Sequence, residues 1–208
     1  MPRRHRRIRD KWRMKDWYDI YSPPYFGEAY LGSVPCDDPD KMFDRVIEKT
    51  LYDLTDDFSQ QHLKLFFKVI EVKGNDCYTV FNGHEYSREY LRGLVTRRNT
   101  RIDRILTLTT QDGYEVRASV IVLSVQKVKT SQASAVRRAI RRISEEKARN
   151  LNFEEFVREA VLGKIASDIY NGAKKVIPIR HVGIRKTKLI SSPEEKPLEE
   201  TVEVKPNV

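Results

Sequence analysis

The sequence predicts an α+β fold, with an antiparallel β-sheet closed or nearly closed into a barrel and helices packed toward the C-terminal half. Three observations carry this expectation. Runs rich in aromatic and β-branched residues fill much of residues 46–125, an Asp-Gly pair joins two of them, and apolar residues fall at helical spacing only in a short stretch near 90 and again after residue 130.

Taken in order, residues 1–14 read as a disordered basic arm, because Ile8, Trp12 and Met14 are too few to offset the entropy of ordering it. Trp17, Tyr18, Ile20 and Tyr21 suggest docking on the folded body before Pro23-Pro24 ends regular structure. Residues 32–41, with two Pro and three Asp, read as a loop. Residues 46–52 form a strand, and 63–72 and 77–81 form a hairpin about the turn at 73–76. Ser87 caps a helix over 88–97. Residues 101–110 and 114–125 form a second hairpin about Asp112-Gly113, where Gly accepts a positive φ. A helix over 131–149 has Val136, Ala139, Ile140 and Ile143 on one stripe and Arg137, Arg138, Arg141 and Arg142 opposite. Asn152 with Glu155 makes a capping box for a second helix, whose apolar face runs from Phe153 to Ile169 and which ends at Gly172. Residues 176–179 and 182–190 return to β pattern. Residues 15–190 thus form one globular domain, and 191–208 read as a disordered acidic tail.

Charged residues make up 33% of the chain and the net charge is +9, which calls for an anionic partner. The charge is concentrated. Residues 1–15 carry Arg3, Arg4, Arg6, Arg7, Arg9, Lys11, Arg13 and Lys15 against Asp10 alone. A second concentration spans Lys127, Lys129 and the helix bearing Arg137, Arg138, Arg141 and Arg142, a run with no acid inside it. A solvated helix face normally balances such a run with acids, and unbalanced Arg residues repel one another unless phosphate neutralises them. Arg92, Arg97 and Arg98 form a weaker patch. Trp12, Trp17, Tyr18 and Tyr21 either stack on bases or anchor the arm.

Little points to catalysis. There is no phosphate-binding Gly loop, and His5, His62, His84 and His181 are scattered without metal-ligand spacing. His84-Glu85 is better read as a polar turn than as a base with its orienter. The acidic groups Asp37, Asp38, Asp40 and Asp53, Asp56, Asp57 read as turn residues rather than a cation site. Cys36 and Cys77 have no paired spacing, which suits a reducing compartment, and no apolar run reaches the roughly 18 residues of a membrane span. No cofactor, metal, membrane or small-molecule substrate is expected.

Five motifs in register resemble one family. They are Lys15-Asp16-Trp17-Tyr18 after a basic arm; residues 77–83 followed by Ser87-Arg88; Thr110 with Asp112-Gly113-Tyr114 and Arg117; Lys129-Thr130-Ser131 leading to Val136-Arg137; and Gly163-Lys164 with residues 185–189. Together they resemble the small-subunit ribosomal protein family of archaea and eukaryotes called S-three-a-e or S-one-e. The resemblance covers about residues 15–190. It implies a barrel-like core with packed helices and a place on the subunit platform, near the ribosomal RNA 3′ end and the messenger exit. Platform proteins would be neighbours and mRNA would lie nearby. The acidic tail and the lack of long extensions favour an archaeal source.

The expectation is therefore a structural ribosomal protein of the cytoplasm that supports translation and is not an enzyme. It would bind ribosomal RNA through the arm, the Arg helix, the patch near residue 95, and Arg185, Lys186 and Lys188. Its rivals are an RNA-modifying enzyme, which would need a base, metal site or cofactor loop, and a membrane-surface or scaffold module, which would need an apolar face on the arm.

Overall fold

The computed structural model describes Trp12 and residues 15–193; the expected acidic tail lies outside them from residue 194 onward, as do Arg3, Arg4, Arg6, Arg7, Arg9, Lys11 and Arg13 of the arm. The chain forms two compact units. One runs to Arg101 and takes in Arg185–Lys188; the other holds Ile102–Ile184 and resumes at Leu189.

The first unit contains β1 (Asp16–Tyr21), β2 (Tyr30–Cys36), β3 (Val46–Thr50), the single-turn α1 (Tyr52–Thr55), β4 (Leu63–Lys73), β5 (Asp76–Tyr86) and α2 (Arg88–Leu94). The expected hairpin is β4–β5, paired antiparallel along its length, with Gly74 at φ +64° in the turn. Its inner face buries Leu65, Phe67, Val69, Cys77 and Phe81, alternating along each strand as the period of two requires. Phe26 packs edge-on against Phe67 with centroids 5.6 Å apart. Ser87 caps α2, its hydroxyl accepting from the Tyr90 N–H at 3.3 Å, and the helix stops at Leu94, three residues sooner than its periodicity suggests.

The second unit contains β6 (Arg101–Thr109), β7 (Glu115–Ser124), α3 (Thr130–Asn150), α4 (Phe153–Val161), α5 (Lys164–Lys174) and most of β8 (Ile179–Ser191). The Asp112-Gly113 turn forms as expected, with Gly113 at φ +82° and the Thr110 N–H donating to the Tyr114 carbonyl at 3.0 Å. From Ala118 to Ser124 every residue of β7 is buried, because β7 lies between β6 and β8 rather than at an edge. The stripe Val136, Ile140 and Ala148 of α3 is buried.

Several expectations are corrected. The sheet is neither closed into a barrel nor purely antiparallel. Its strands run β2-β1-β5-β8-β7-β6, with β3 and β4 branching from β5, and β1 runs parallel to β5. The long strand β5 has β4 on one edge and shares the other: residues 76–78 pair with β1 and 83–85 with β8. Each of β2, β3 and β6 is paired on one side only, so the sheet stays open. Residues 30–36 are a strand rather than part of a loop, and Pro35 is tolerated there because β2 is an edge. The strand expected over 46–52 ends at Thr50 and α1 follows. The single helix expected from Asn152 to Gly172 is two helices, broken at Gly163, which sits at φ +82°. Gly172 lies inside α5, where a Cβ would come 2.6 Å from the Ile143 side chain, so it serves close packing on α3 rather than termination. Asn152 makes no side-chain cap; the Phe153 N–H instead donates to Asp112 Oδ2 at 2.9 Å, so the hairpin turn supplies the cap.

At Gly83 a Cβ would lie 2.3 Å from the Thr187 carbonyl oxygen, a backbone atom that cannot move aside without breaking the β5–β8 ladder. Gly83→Ala should cost on the order of 2–4 kcal/mol in reversible denaturation. Gly93→Ala, where nothing lies within 4 Å, should leave stability unchanged or raise it by up to ~1 kcal/mol.

Candidate nucleic-acid interface

The cationic surfaces are built by local structure. In α3, burial of Val136, Ile140, Ser144 and Ala148 turns Arg138, Arg141, Arg142 and Arg149 outward, where they line one shallow groove with Glu145, Glu146 and Asn150. Lys127 and Lys129, both exposed, lead into the helix, and the Lys129 N–H is held by Gln132 Oε1 at 3.2 Å.

The four expected Arg residues are not equivalent. Arg137 is half-buried and its Nε donates to the Asp103 carbonyl of β6 at 3.4 Å, so it serves the protein. Arg141 pairs with Glu145 at 2.7 Å, and that hydrogen bond holds its guanidinium above the ordinary value. Arg138 and Arg142, four residues apart and both exposed, have no carboxylate in ion-pair range among the described residues. Like charges at this spacing repel. Arg149 completes the groove and was not singled out by its sequence; the signal was its position seven residues after Arg142 on the same face. Lys147 points elsewhere, bridging Asp168 at 3.0 Å and Glu159 at 3.5 Å, and so ties α3 to α5 and α4.

The first unit holds the other described residues of the expected cationic surfaces. Arg92, Arg97 and Arg98 are exposed on α2 and the turn after it, where Arg98 takes φ +69°. On β8, Lys186 and Lys188 are exposed and Arg185 is half-buried; Lys186 pairs with Glu85 at 2.7 Å. Lys15 stands 5.0 Å over the Trp12 ring, which meets Trp17 edge-on at 6.5 Å. Tyr18 is buried while Trp17 is 54% exposed, so of that aromatic pair Tyr18 anchors and Trp17 does not.

The groups weighed for chemistry have structural roles. His84 is buried and shares a 2.8 Å hydrogen bond with the Thr187 hydroxyl, while Glu85, next along the strand, takes the opposite face and binds Lys186. They are therefore not a base and its orienter, nor the polar turn expected, since both lie within β5. His62 stacks on Tyr90 at 3.9 Å and burial lowers its pKa. Asp53 accepts both the N–H and the hydroxyl of Thr50 at 2.9 Å, and Asp57 accepts from the N–H and hydroxyl of Ser59; these bonds hold both carboxyls below their ordinary values. Among the described residues no group of three His, Cys, Asp or Glu is arranged to hold a metal, and no helix is long and apolar enough to cross a membrane.

The profile of the Ribosomal S3Ae family matches residues 3–193. Among curated proteins the chain is 47% identical to the small ribosomal subunit protein eS1 of Archaeoglobus fulgidus, over 93% of this chain and 92% of that one. It is 44% identical to the protein of that name from Desulfurococcus amylolyticus, over 93% and 91%, and 45% identical to that of Saccharolobus solfataricus, over 90% of each. The match spans both units and every described cationic patch, and the relatives are archaeal, in keeping with the source that the sequence favoured. The chain belongs to the ribosomal S3Ae family and is a ribosomal structural protein, not an enzyme.

Proposed function

We propose that this protein is a structural constituent of the small ribosomal subunit that binds ribosomal RNA mainly through the outer face of α3, and that it works there in the cytoplasm in support of translation. The observation that carries the reading is the groove on α3. Arg138, Arg142 and Arg149 face outward with no carboxylate in ion-pair range among the described residues, in a groove where four Arg outnumber Glu145 and Glu146, on a helix whose opposite face is used in packing. Guanidinium forks match phosphate oxygens, and a helix that presents several of them fits the regular phosphate spacing of an RNA backbone.

Lys127 and Lys129 extend this surface at the start of α3. Arg92, Arg97 and Arg98, with Arg185, Lys186 and Lys188, supply further phosphate contacts from the first unit, and the basic arm of residues 1–14 adds its own charges. The acidic segment after residue 191 is repelled by RNA and stays off it. In keeping with the family resemblance, the RNA is that of the platform near the 3′ end and the messenger exit, with platform proteins as neighbours and mRNA close by. Selectivity would come from RNA shape, since the proposed contacts are to phosphate rather than base edges.

Binding of a labelled transcript of the small-subunit RNA 3′ region by the full chain tests this. The combined variant Arg138→Ala/Arg142→Ala/Arg149→Ala should flatten the slope of log affinity against log salt by about two to three units, one for each lost phosphate contact. Its melting midpoint should be unchanged, because none of the three side chains is buried. Glu145→Gln releases Arg141 and should steepen the slope by up to about one unit. A slope unaltered in the triple variant would remove α3 from the interface.

A further inference from the structure

A second surface of the first unit has the opposite character. Trp17, Asp19 and Tyr21 of β1 face outward while Tyr18 and Ile20 are buried. The pairing register sets Tyr30 of β2 beside Tyr21 on one side and Tyr78 of β5 on the other, with ring centroids 6.0 and 6.2 Å from that of Tyr21. Tyr30 is 57% exposed and Tyr78 38%. Asp76 is the register partner of Asp19 across the parallel pair, so two carboxylates stand side by side among the rings. The Tyr30 hydroxyl donates to Asp19 Oδ1 at 3.4 Å. Asp76 above all, then burial, then Asp19 raise the pKa of the Tyr21 phenol, so the local field is negative on a chain whose net charge is +9.

Aromatic faces attract cations, and neighbouring carboxylates of like charge are relieved by one. Rings of this surface and its border already behave so: Lys73 Nζ lies 5.0 Å over Tyr78, and Lys15 lies over Trp12, which packs on Trp17. No cation of the described residues stands over Tyr21 or Tyr30. We propose that this face docks an arginine-bearing extended segment of a neighbouring protein, its guanidinium lying over Tyr21 and Tyr30 with Asp19 and Asp76 as its counter-charges. Charge complementarity selects this occupant. Bases could stack on the same rings, but their phosphates would then approach two carboxylates. Arginine fits better than lysine because its planar group both stacks and forks onto carboxylate. The proposal concerns a surface other than α3 and does not depend on the RNA reading.

The test is fluorescence anisotropy of a labelled twelve-residue peptide of alternating Arg and Ser, titrated with the full chain. Saturable binding is expected, weakened about tenfold by Tyr30→Ala/Tyr78→Ala and comparably by Asp19→Asn/Asp76→Asn. The α3 triple variant should bind the peptide as the parent does, which separates failure of this proposal from failure of the RNA reading. Thermal melts verify that the variants fold; if a double variant does not, Tyr30→Ala alone, on the edge strand, takes its place. Binding indifferent to these substitutions would overturn the proposal. So would peptide binding that appears only when residues 1–11 are deleted, since the chain's own arm would then be the occupant. Oligouridine binding that is lost in the tyrosine variant and strengthened in the aspartate variant would assign the face to RNA instead, again overturning it.

Discussion

The first unit is organised around one close approach, where β8 lies against the backbone of β5 at Gly83. A side chain there would meet the Thr187 carbonyl, so the contact exists only because residue 83 has none. From it the ladder runs on along β5, with His84 buried against the Thr187 hydroxyl and Glu85 outward against Lys186. Since β8 takes only residues 83–85 of that edge, the start of β5 is left for β1. A single long strand thus carries β4 on one edge and two partners on the other. This arrangement sets Tyr21, Tyr30 and Tyr78 side by side on the outer face, and Lys186 and Lys188 on an exposed stretch of β8.

Charge is sorted by local packing. In α3 the hydrophobic stripe fixes the helix's rotation, and rotation decides which Arg residues meet solvent. The same rotation gives Arg137 to a β6 carbonyl and Lys147 to the acids of α4 and α5, so part of the helix's positive charge is spent on holding the second unit together. What remains outward is the set Arg138, Arg142 and Arg149, with Arg141 held in reserve by Glu145. On β1 and β5 the alternation of strands does the corresponding work for carboxylates and rings.

Much of this was legible in the sequence where a local rule has no competitor. Asp112-Gly113 marks a turn because few other residues accept a positive φ, Ser87 marks a helix start, and the stripe of α3 sets its buried face. The break at Gly163 was hidden because Val161 and Ile165 keep helical spacing across it, so periodicity alone reads through. The parallel pairing of β1 with β5, and with it the open sheet in place of a barrel, depends on register between segments some 60 residues apart, about which alternation says nothing. Pro35 read as a loop signal because edge position is a property of the sheet and not of the strand. For the site, helical phase found the Arg face but could not divide it: Glu145 lies just beyond the basic run, and the Asp103 carbonyl that engages Arg137 is 34 residues away. The aromatic face escaped notice because Tyr30 and Tyr78 become neighbours of Tyr21 only through the sheet.

On the proposed reading, this protein resides in the small ribosomal subunit and is held there by phosphate contacts. Sucrose-gradient fractionation of native lysate at low and at high salt, with the chain followed by mass spectrometry, tests it most directly. Stoichiometric sedimentation with small subunits at low salt, and partial release as salt rises, are expected. A chain found at the top of the gradient in low salt would contradict it.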